Sequence, residues 1–253
     1  MHHVKLALAT VALLLCISFP AQTPVPLAHG DVPGEPHHHL KIENDYVRAY
    51  YVEVAPHEST LLHQHDLDYL YVILGPADII NAVAGKPELH QVLKDGEVHF
   101  TRGGFAHVAR NLSDAPFRNV TIEFLHPQGD VRNLCGEVAP GPQGKCENSQ
   151  SMAPLSGSSL LRTDEVYLHL LHFSESKARF SITFRGWANP SLLVALGQGI
   201  LGVEIGKKHA EKLHSGDVLW FPGKEPVTFE NEGGGAPSFL VLSFEKAAAN
   251  NTP

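Results

Sequence analysis

Three histidines at two places in the chain have the residue type and the spacing of a metal-binding set. His63 and His65 lie in HQHDLDYLYVILG, and His107 lies in GEVHFTRGGFAHVARN. Alternate side chains of a β-strand point to the same face, so His63 and His65 can offer two imidazoles to one ion. His107 would supply a third imidazole from elsewhere in the fold. The spacing therefore predicts a site for a divalent metal.

The two segments resemble the paired motifs of the cupin superfamily. The first cupin motif reads G-x5-H-x-H-x3/4-E-x6-G, and the second reads G-x5-P-x-G-x2-H-x3-N. The positions that match are His63, His65, Gly75, Gly96, Gly104, His107 and Asn111. The resemblance implies a small antiparallel jelly-roll barrel with a divalent metal in its mouth.

Three positions depart from the cupin pattern. His57 stands where the first motif opens with glycine, Tyr69 stands at its glutamate, and Arg102 stands at the proline of the second motif. Because the carboxylate ligand is missing, the site resembles that of the three-histidine cupin dioxygenases. Cupins host many unrelated reactions, so the resemblance supplies no substrate.

Several side chains could act in place of the missing glutamate ligand. Tyr69 shares strand parity with His65, and we expect its phenol to donate a hydrogen bond near the ion. Ligation as a phenolate would need a pKa far below the reference value of about 10. Asp68, or else Asp66, would turn inward as a carboxylate ligand if the strand carried a one-residue bulge. Arg102 either pairs with a substrate carboxylate at the barrel mouth or is a solvated turn residue.

The second half of the chain repeats the pattern of the first. KDGEVHFTRGGFAHVARNLSDAPFRNVTIEF and HSGDVLWFPGKEPVTFENEGGGAPSFLVLSF align without a gap, with Gly96 opposite Gly216 and Asn111 opposite Asn231. Opposite the three histidines stand Arg185, Trp187 and Val227. We expect an all-β chain of two tandem cupin-type antiparallel jelly-roll barrels, of which the second is degenerate and has no metal site.

Composition divides the chain into segments. We place the metal-binding barrel at 40–127 and the degenerate barrel at 159–246, followed by a tail at 247–253. The stretch 128–158 is rich in proline, glycine and serine, which is typical of a linker. Its two cysteines, Cys135 and Cys146, are expected to form a disulfide, since an even pair across a short turn-rich loop favours one in an oxidising compartment.

The amino terminus has the layout of a secretory signal peptide. Lys5 precedes an uncharged apolar run from Leu6 to Phe19, and a polar, proline-rich stretch follows. That run is shorter than the roughly 20 residues needed to span a bilayer, so no stable membrane span is expected. We assign 1–22 to the signal peptide, including Cys16, and 23–39 to a leader segment of a secreted or periplasmic protein.

The remaining histidines are interpreted as solvated. His37, His38 and His39 lie in a proline-flanked stretch, which favours a solvated leader over a second metal site. The same interpretation covers His57, His90, His99 and His126.

The charge balance argues against nucleic acid as a partner. The chain has 19 Lys+Arg against 27 Asp+Glu and no basic run long enough to follow a phosphate backbone. With 43% hydrophobic and 18% charged residues it can bury one large core or two smaller ones. A small-molecule ligand or substrate is the expected partner.

The metal set leaves two classes of function open. Neutral imidazoles do not select one metal, and we rank Fe(II) and Mn(II) ahead of Zn(II). Three histidines leave positions free for water, dioxygen or a chelating substrate, as in a non-haem dioxygenase-type oxidoreductase. The alternative is a non-catalytic protein that binds a sugar, an organic acid or a metal ion. Sugar isomerase chemistry would need an acid–base pair that this sequence does not show.

Overall fold

The computed structural model describes residues 30–136, 138–139, 146, 150–173, 181–184, 188–206 and 211–245. The predicted signal peptide, the tail and the aligned residues Arg185 and Trp187 lie outside these ranges. Among the described residues, no helix is long and apolar enough to cross a bilayer. These residues fold almost entirely into β-strands, with one 3-10 turn at Val32–Gly34.

The first half forms two facing sheets. Its strands are β1 (Gly30–Asp31), β2 (His38–Glu43), β3 (Val47–Val54), β4 (His63–His65), β5 (Tyr69–Ile73), β6 (Ala77–Val83), β7 (Leu89–Leu93), β8 (Val98–Thr101), β9 (Phe105–Asn111), β10 (Phe117–Phe124), β11 (Arg132–Asn133) and β12 (Val138–Ala139). One sheet has the order β1-β4-β9-β6-β7 and the other β12-β8-β5-β10-β3-β2, whereas β11 pairs with Leu161 and Arg162 in a sheet of the second half. Only the short pairs β1–β4 and β12–β8 are parallel among these neighbours.

The second half repeats this arrangement. Its strands are β13 (Gln150–Met152), β14 (Leu155–Arg162), β15 (Val166–Phe173), β16 (Ser181–Phe184), β17 (Ser191–Leu196), β18 (Leu201–Ile205), β19 (Glu211–Leu213), β20 (Val218–Phe221), β21 (Val227–Asn231) and β22 (Ser238–Phe244). The order β20-β17-β22-β15-β14 matches β8-β5-β10-β3-β2 of the first half, and β16-β21-β18-β19 forms the facing sheet. The predicted all-β class with antiparallel sheets and the internal repeat are confirmed.

Strand β3 shows how alternation builds two cores at once. Tyr50 and Val52 point into the first barrel and join its apolar interior. Val47 and Ala49 point the other way, into a cluster that also contains Leu168 of the second half. Both faces of this strand are buried because the six-stranded sheet packs against the second half of the chain.

The turn positions explain one departure from the motif. Gly75 and Gly96 have φ of 85° and 75°, and their counterparts Gly197 and Gly216 have φ of 69° and 91°. His57, at the position of the opening motif glycine, also has a positive φ of 61°. His57 therefore keeps the backbone conformation of the glycine it replaces. A residue with a Cβ is strained in this conformation.

The predicted disulfide is present. Cys135 and Cys146 are bonded across a sequence separation of 11 residues. Cys135 is buried in the cluster that joins the two halves, and Cys146 packs against it. The bond therefore fixes the linker to the region between the barrels.

Candidate metal centre

Two paired strands position the predicted histidines. Strands β4 and β9 are antiparallel, with His63 directly opposite His107 and His65 opposite Phe105. Because His63 and His65 are two residues apart on one strand, both side chains point to the same side as His107. The structure thus brings together all three histidines that the sequence singles out.

The ring nitrogens of these histidines meet at short distances. The Nε2 of His63 lies 3.2 Å from the Nε2 of His65 and 3.1 Å from that of His107. The Nδ1 of His63 donates to the backbone oxygen of Leu61 at 2.8 Å, and the Nδ1 of His107 lies 2.8 Å from Oδ1 of Asn81. Because a carbonyl oxygen only accepts, the proton of each neutral ring is drawn to Nδ1. The lone pairs of Nε2 in His63 and His107 then face each other, which suits a cation with a preference for nitrogen ligands.

Burial keeps the three imidazoles neutral. His63 and His65 are 1% and 2% exposed. Burial lowers the pKa of His63, and burial together with repulsion from His63 lowers the pKa of His65 to about 2. Burial, followed by repulsion from His63 and His65, also holds the pKa of His107 well below its usual range. Neutral imidazole is the form that binds a metal.

A fourth histidine, assigned from the sequence to a solvated leader, lies beside this set. His38 is the first residue of β2, and its side chain is 5% exposed. Its ring centroid lies 4.8 Å from that of His63 and 6.1 Å from that of His65. One ring nitrogen from each of these three histidines lies within 4.8 Å of the other two, so they could hold a metal ion. The solvated interpretation is therefore wrong for His38. It is also wrong for His99, which is buried with 6% exposure.

A buried carboxylate holds His38 in place. The Oε2 of Glu35 lies 2.6 Å from Nδ1 of His38, and its Oε1 accepts from the backbone N–H of Leu61 at 3.0 Å. Burial acts to raise the pKa of Glu35, but hydrogen bonds from His38, His37 and Leu61 outweigh it and lower this pKa to about 2. Glu35 therefore ties the chain before β2 to the start of β4.

Tyr69 lies where the sequence placed it, beside His65. The two rings stack with centroids 4.1 Å apart, and Tyr69 is 5% exposed. Burial raises the pKa of Tyr69, so the phenol stays protonated at neutral pH. It therefore packs against the imidazole as a neutral group.

Asp68 and Arg102 contact each other. The guanidinium donates to Oδ2 of Asp68 and to the backbone oxygen of Gly129, both at 2.6 Å. The N–H of Gly103 donates to Oδ1 of Asp68 at 3.2 Å. Strand β5 starts at Tyr69 and pairs without a register shift, so the bulge that would turn Asp68 inward is absent there. Neither Asp68 nor Arg102 is among the residues that line the histidine cavity.

The other acidic candidates lie differently. Asp66 is exposed and accepts a hydrogen bond from Gln64. Glu123, which the sequence reasoning missed, is 3% exposed and its Oε1 lies 3.7 Å from Nδ1 of His65. It therefore faces the side of His65 away from the other imidazoles. It lies opposite Tyr69 in the β10–β5 pairing, a long-range contact that no local sequence pattern reveals.

The histidines open on a narrow cavity with mixed polar and apolar walls. It has a volume of about 50 Å³, and its polar walls include Tyr71, Asn81, Gln91, Asn119 and Thr121. The Oε1 of Gln91 is buried and has no hydrogen-bond partner among the described residues. The cavity thus offers neutral donors and acceptors beside the imidazoles, with room for a few water-sized groups.

In the described part of the second barrel, an apolar side chain stands in place of the third histidine. Val227 stands at the position of His107 and is completely buried in an apolar cluster with Phe229 and Phe239. Asn111 and Asn231 nonetheless have similar roles, because each donates through its side-chain amide to a backbone oxygen four residues on, in Ala115 and Gly235. The repeated asparagine is structural, and the histidines belong to the first barrel.

No family model and no curated protein matches this chain in sequence. Its fold is similar to that of AerE from Microcystis aeruginosa, with 13% identity over 84% of this chain and 99% of AerE and a TM-score of 0.55. Salicylate 1,2-dioxygenase from Pseudaminobacter salicylatoxidans gives 12% identity, 81% and 75% coverage and a TM-score of 0.56. The putative glyoxylate induced protein from Pseudomonas aeruginosa gives 14% identity over 81% of this chain and 77% of that protein, with a TM-score of 0.56. These are cupin-domain proteins, and the chain shares their fold in the two-barrel form of a bicupin.

Proposed function

We propose that this chain is an exported bicupin that binds one divalent metal ion through His63, His65 and His107, and acts as a dioxygenase-type oxidoreductase on a small chelating substrate. The proposal depends on the position of Nε2 of His63, which lies 3.2 Å from Nε2 of His65 and 3.1 Å from Nε2 of His107. A redox-active ion such as Fe(II) or Mn(II) would supply positions for dioxygen and substrate; Zn(II) would fit the same nitrogens without redox chemistry.

The protein's own residues would orient the imidazoles and shape the cavity. Leu61 and Asn81 accept from Nδ1 of His63 and His107 and so keep Nε2 available. Tyr69 stacks on His65 and stays protonated, which suits a hydrogen-bond donor near the site. Gln91 presents an acceptor to a bound molecule. The ion pair of Asp68 and Arg102 instead fixes the loop before β9.

Two features support the enzymatic form of the proposal. The cavity is small and lined in part by neutral polar side chains, which suits a chelating substrate of few atoms. Salicylate 1,2-dioxygenase, which shares the fold, is named for dioxygenase activity. Fold alone does not fix a reaction, so the assignment depends on the site.

A non-catalytic binding protein is the second candidate, and His38 favours it. An additional imidazole within 4.8 Å of His63 and His65 would occupy a coordination position and reduce access to the ion. A four-coordinate ion closed by four protein ligands would suit storage or transport, whereas a six-coordinate ion with the same four ligands would keep two positions for dioxygen and substrate.

Oxygen uptake by Fe(II)-loaded protein separates the two candidates. The protein is mixed with small diketones or hydroxy acids in an oxygen electrode, beside a Tyr69→Phe variant and the His63→Ala/His107→Ala variant. Substrate-dependent uptake that disappears in the double variant supports the oxidoreductase. Stoichiometric iron without uptake for any substrate supports the binding protein.

Export has its own support and test. The apolar run from Leu6 to Phe19 and the Cys135–Cys146 disulfide both suit an oxidising compartment. Expression of the full chain in a bacterium, followed by intact-mass analysis of the periplasmic fraction, should give a product that lacks about 22 residues. A full-length product retained in the cytoplasm would contradict export.

A further inference from the structure

We infer that His38, carried by the segment before the first barrel, is a fourth imidazole ligand of the metal ion and that Glu35 positions it. This inference rests on the proposed metal site. The cupin motifs contain no residue from this part of the chain, so the ligand would come from outside them.

The first step is which atom of His38 is available. Its Nδ1 lies 2.6 Å from Oε2 of Glu35, which is a carboxylate and therefore accepts the Nδ1 proton. The side chains of His38 and Glu35 are 5% and 1% exposed, so water does not compete for this bond. In the neutral ring, Nε2 of His38 then carries the lone pair, as in the carboxylate–histidine pairs that serve metal sites.

The second step is where that ring lies. His38 lines the same cavity as His63, His65 and His107. Its ring centroid lies 4.8 Å from that of His63, close to the 4.6 Å between His63 and His107. The ring of His63 therefore lies beside the rings of His38, His65 and His107, and all four line one cavity.

The third step is the comparison with the metal-free half. In the first barrel His38 pairs with Val52, and at the equivalent place in the second barrel Gly157 pairs with Leu171. A Cβ at Gly157 would meet the Leu171 side chain at 2.3 Å, so a larger residue there would have to displace Leu171. The half with valine at the His107 position therefore also has glycine at the His38 position.

Glu35 links this ligand to the others through the backbone. It also accepts from the N–H of Leu61 at 3.0 Å, and the oxygen of Leu61 in turn accepts from Nδ1 of His63. One carboxylate thus fixes His38 directly and His63 through one residue. Glu35 is a positioning residue, since it contacts the ligands and not the ion.

Nitrogen NMR of the cadmium-loaded protein tests the inference residue by residue. The full mature chain, labelled with ¹⁵N and loaded with ¹¹³Cd, shows a one-bond coupling at each imidazole nitrogen that ligates the ion. Coupling at Nε2 of His38 together with His63, His65 and His107 is the expected result. Coupling at the other three without His38 would overturn this inference and leave the three-histidine site standing, whereas no coupling at any histidine would overturn both.

Affinity measurements provide a second readout. His38→Gln should weaken Cd²⁺ binding, measured by competition with a chelator, at least about tenfold. Glu35→Gln should weaken it about 10–100-fold. His39→Gln is the matched control, because His39 is the exposed neighbour on the same strand and should bind Cd²⁺ like the wild type. Equal affinities for His38→Gln and His39→Gln, with both variants folded by circular dichroism, would contradict a ligand role.

Discussion

Replacing His63 with leucine should separate the metal-free and metal-loaded states of the site. In the metal-free protein, Nδ1 of His63 donates to Leu61 at 2.8 Å, but its Nε2 faces two other Nε2 atoms at 3.2 and 3.1 Å. Leucine loses one hydrogen bond, worth about 1 kcal/mol, and removes a buried acceptor without a donor, which costs about 1–3 kcal/mol. The metal-free variant should therefore be at least as stable as the wild type, and more stable by up to about 2 kcal/mol.

The metal-loaded protein should respond differently. A ligand at a hundred times its Kd stabilises the folded state by about 2.7 kcal/mol. For a chain of this size that corresponds to a rise in Tm of about 5–11 °C. Because leucine cannot bind the ion, this rise should be absent in His63→Leu.

Thermal unfolding followed by circular dichroism, with chelator and with excess metal, measures both effects. His99→Leu is the matched control, since His99 is a buried histidine of the same barrel that bonds to Glu97 at 2.9 Å and stacks on Tyr71. This control should be destabilised equally with and without metal. If His63→Leu lowers the Tm of the metal-free protein as much as His99→Leu does, His63 is a satisfied core histidine and the reasoning is refuted.

Three further changes have expected outcomes. His57→Gly should raise the free energy of unfolding by about 1 kcal/mol, because φ is 61° at this position; a lower urea midpoint would contradict this. Cys135→Ser should lower it by about 2–3 kcal/mol under oxidising conditions and change nothing under reducing ones. The pKa of His65 is about 2 in the folded protein, which is below its unfolded value. The free energy of unfolding of the metal-free protein should therefore be highest above pH 6.5 and fall as the pH is lowered. The slope should reach about 1.4 kcal/mol per pH unit, and constant stability between pH 6.5 and 5 would refute it.

Much of the fold follows from short-range patterns in the sequence. Strand parity placed His63 and His65 on one face, and the structure pairs them with His107 across β4 and β9. The repeat of Gly96 and Asn111 at Gly216 and Asn231 predicted two similar halves, because turn residues and alternating apolar residues are local sequence signals.

Long-range contacts account for what sequence reasoning missed. His38 looked like part of a polar leader, because nothing local shows that Glu35 is buried beneath it or that β2 pairs with β3. Asp68 was expected to become a metal ligand through a β-bulge. In the structure there is no bulge, and the Asp68 carboxylate instead pairs with Arg102, which is distant in sequence. Such contacts depend on which loops meet, and spacing along the chain does not encode that.

Metal content decides whether the histidine set is a metal site. The mature protein, purified without nickel affinity resin, is analysed by mass spectrometry for bound metals beside the His63→Ala/His107→Ala and His99→Ala variants. We expect one divalent ion per chain in the wild type and in His99→Ala, and none in the double variant. No ion in the wild type, even after reconstitution with Fe(II), Mn(II) and Zn(II), would contradict the proposed centre.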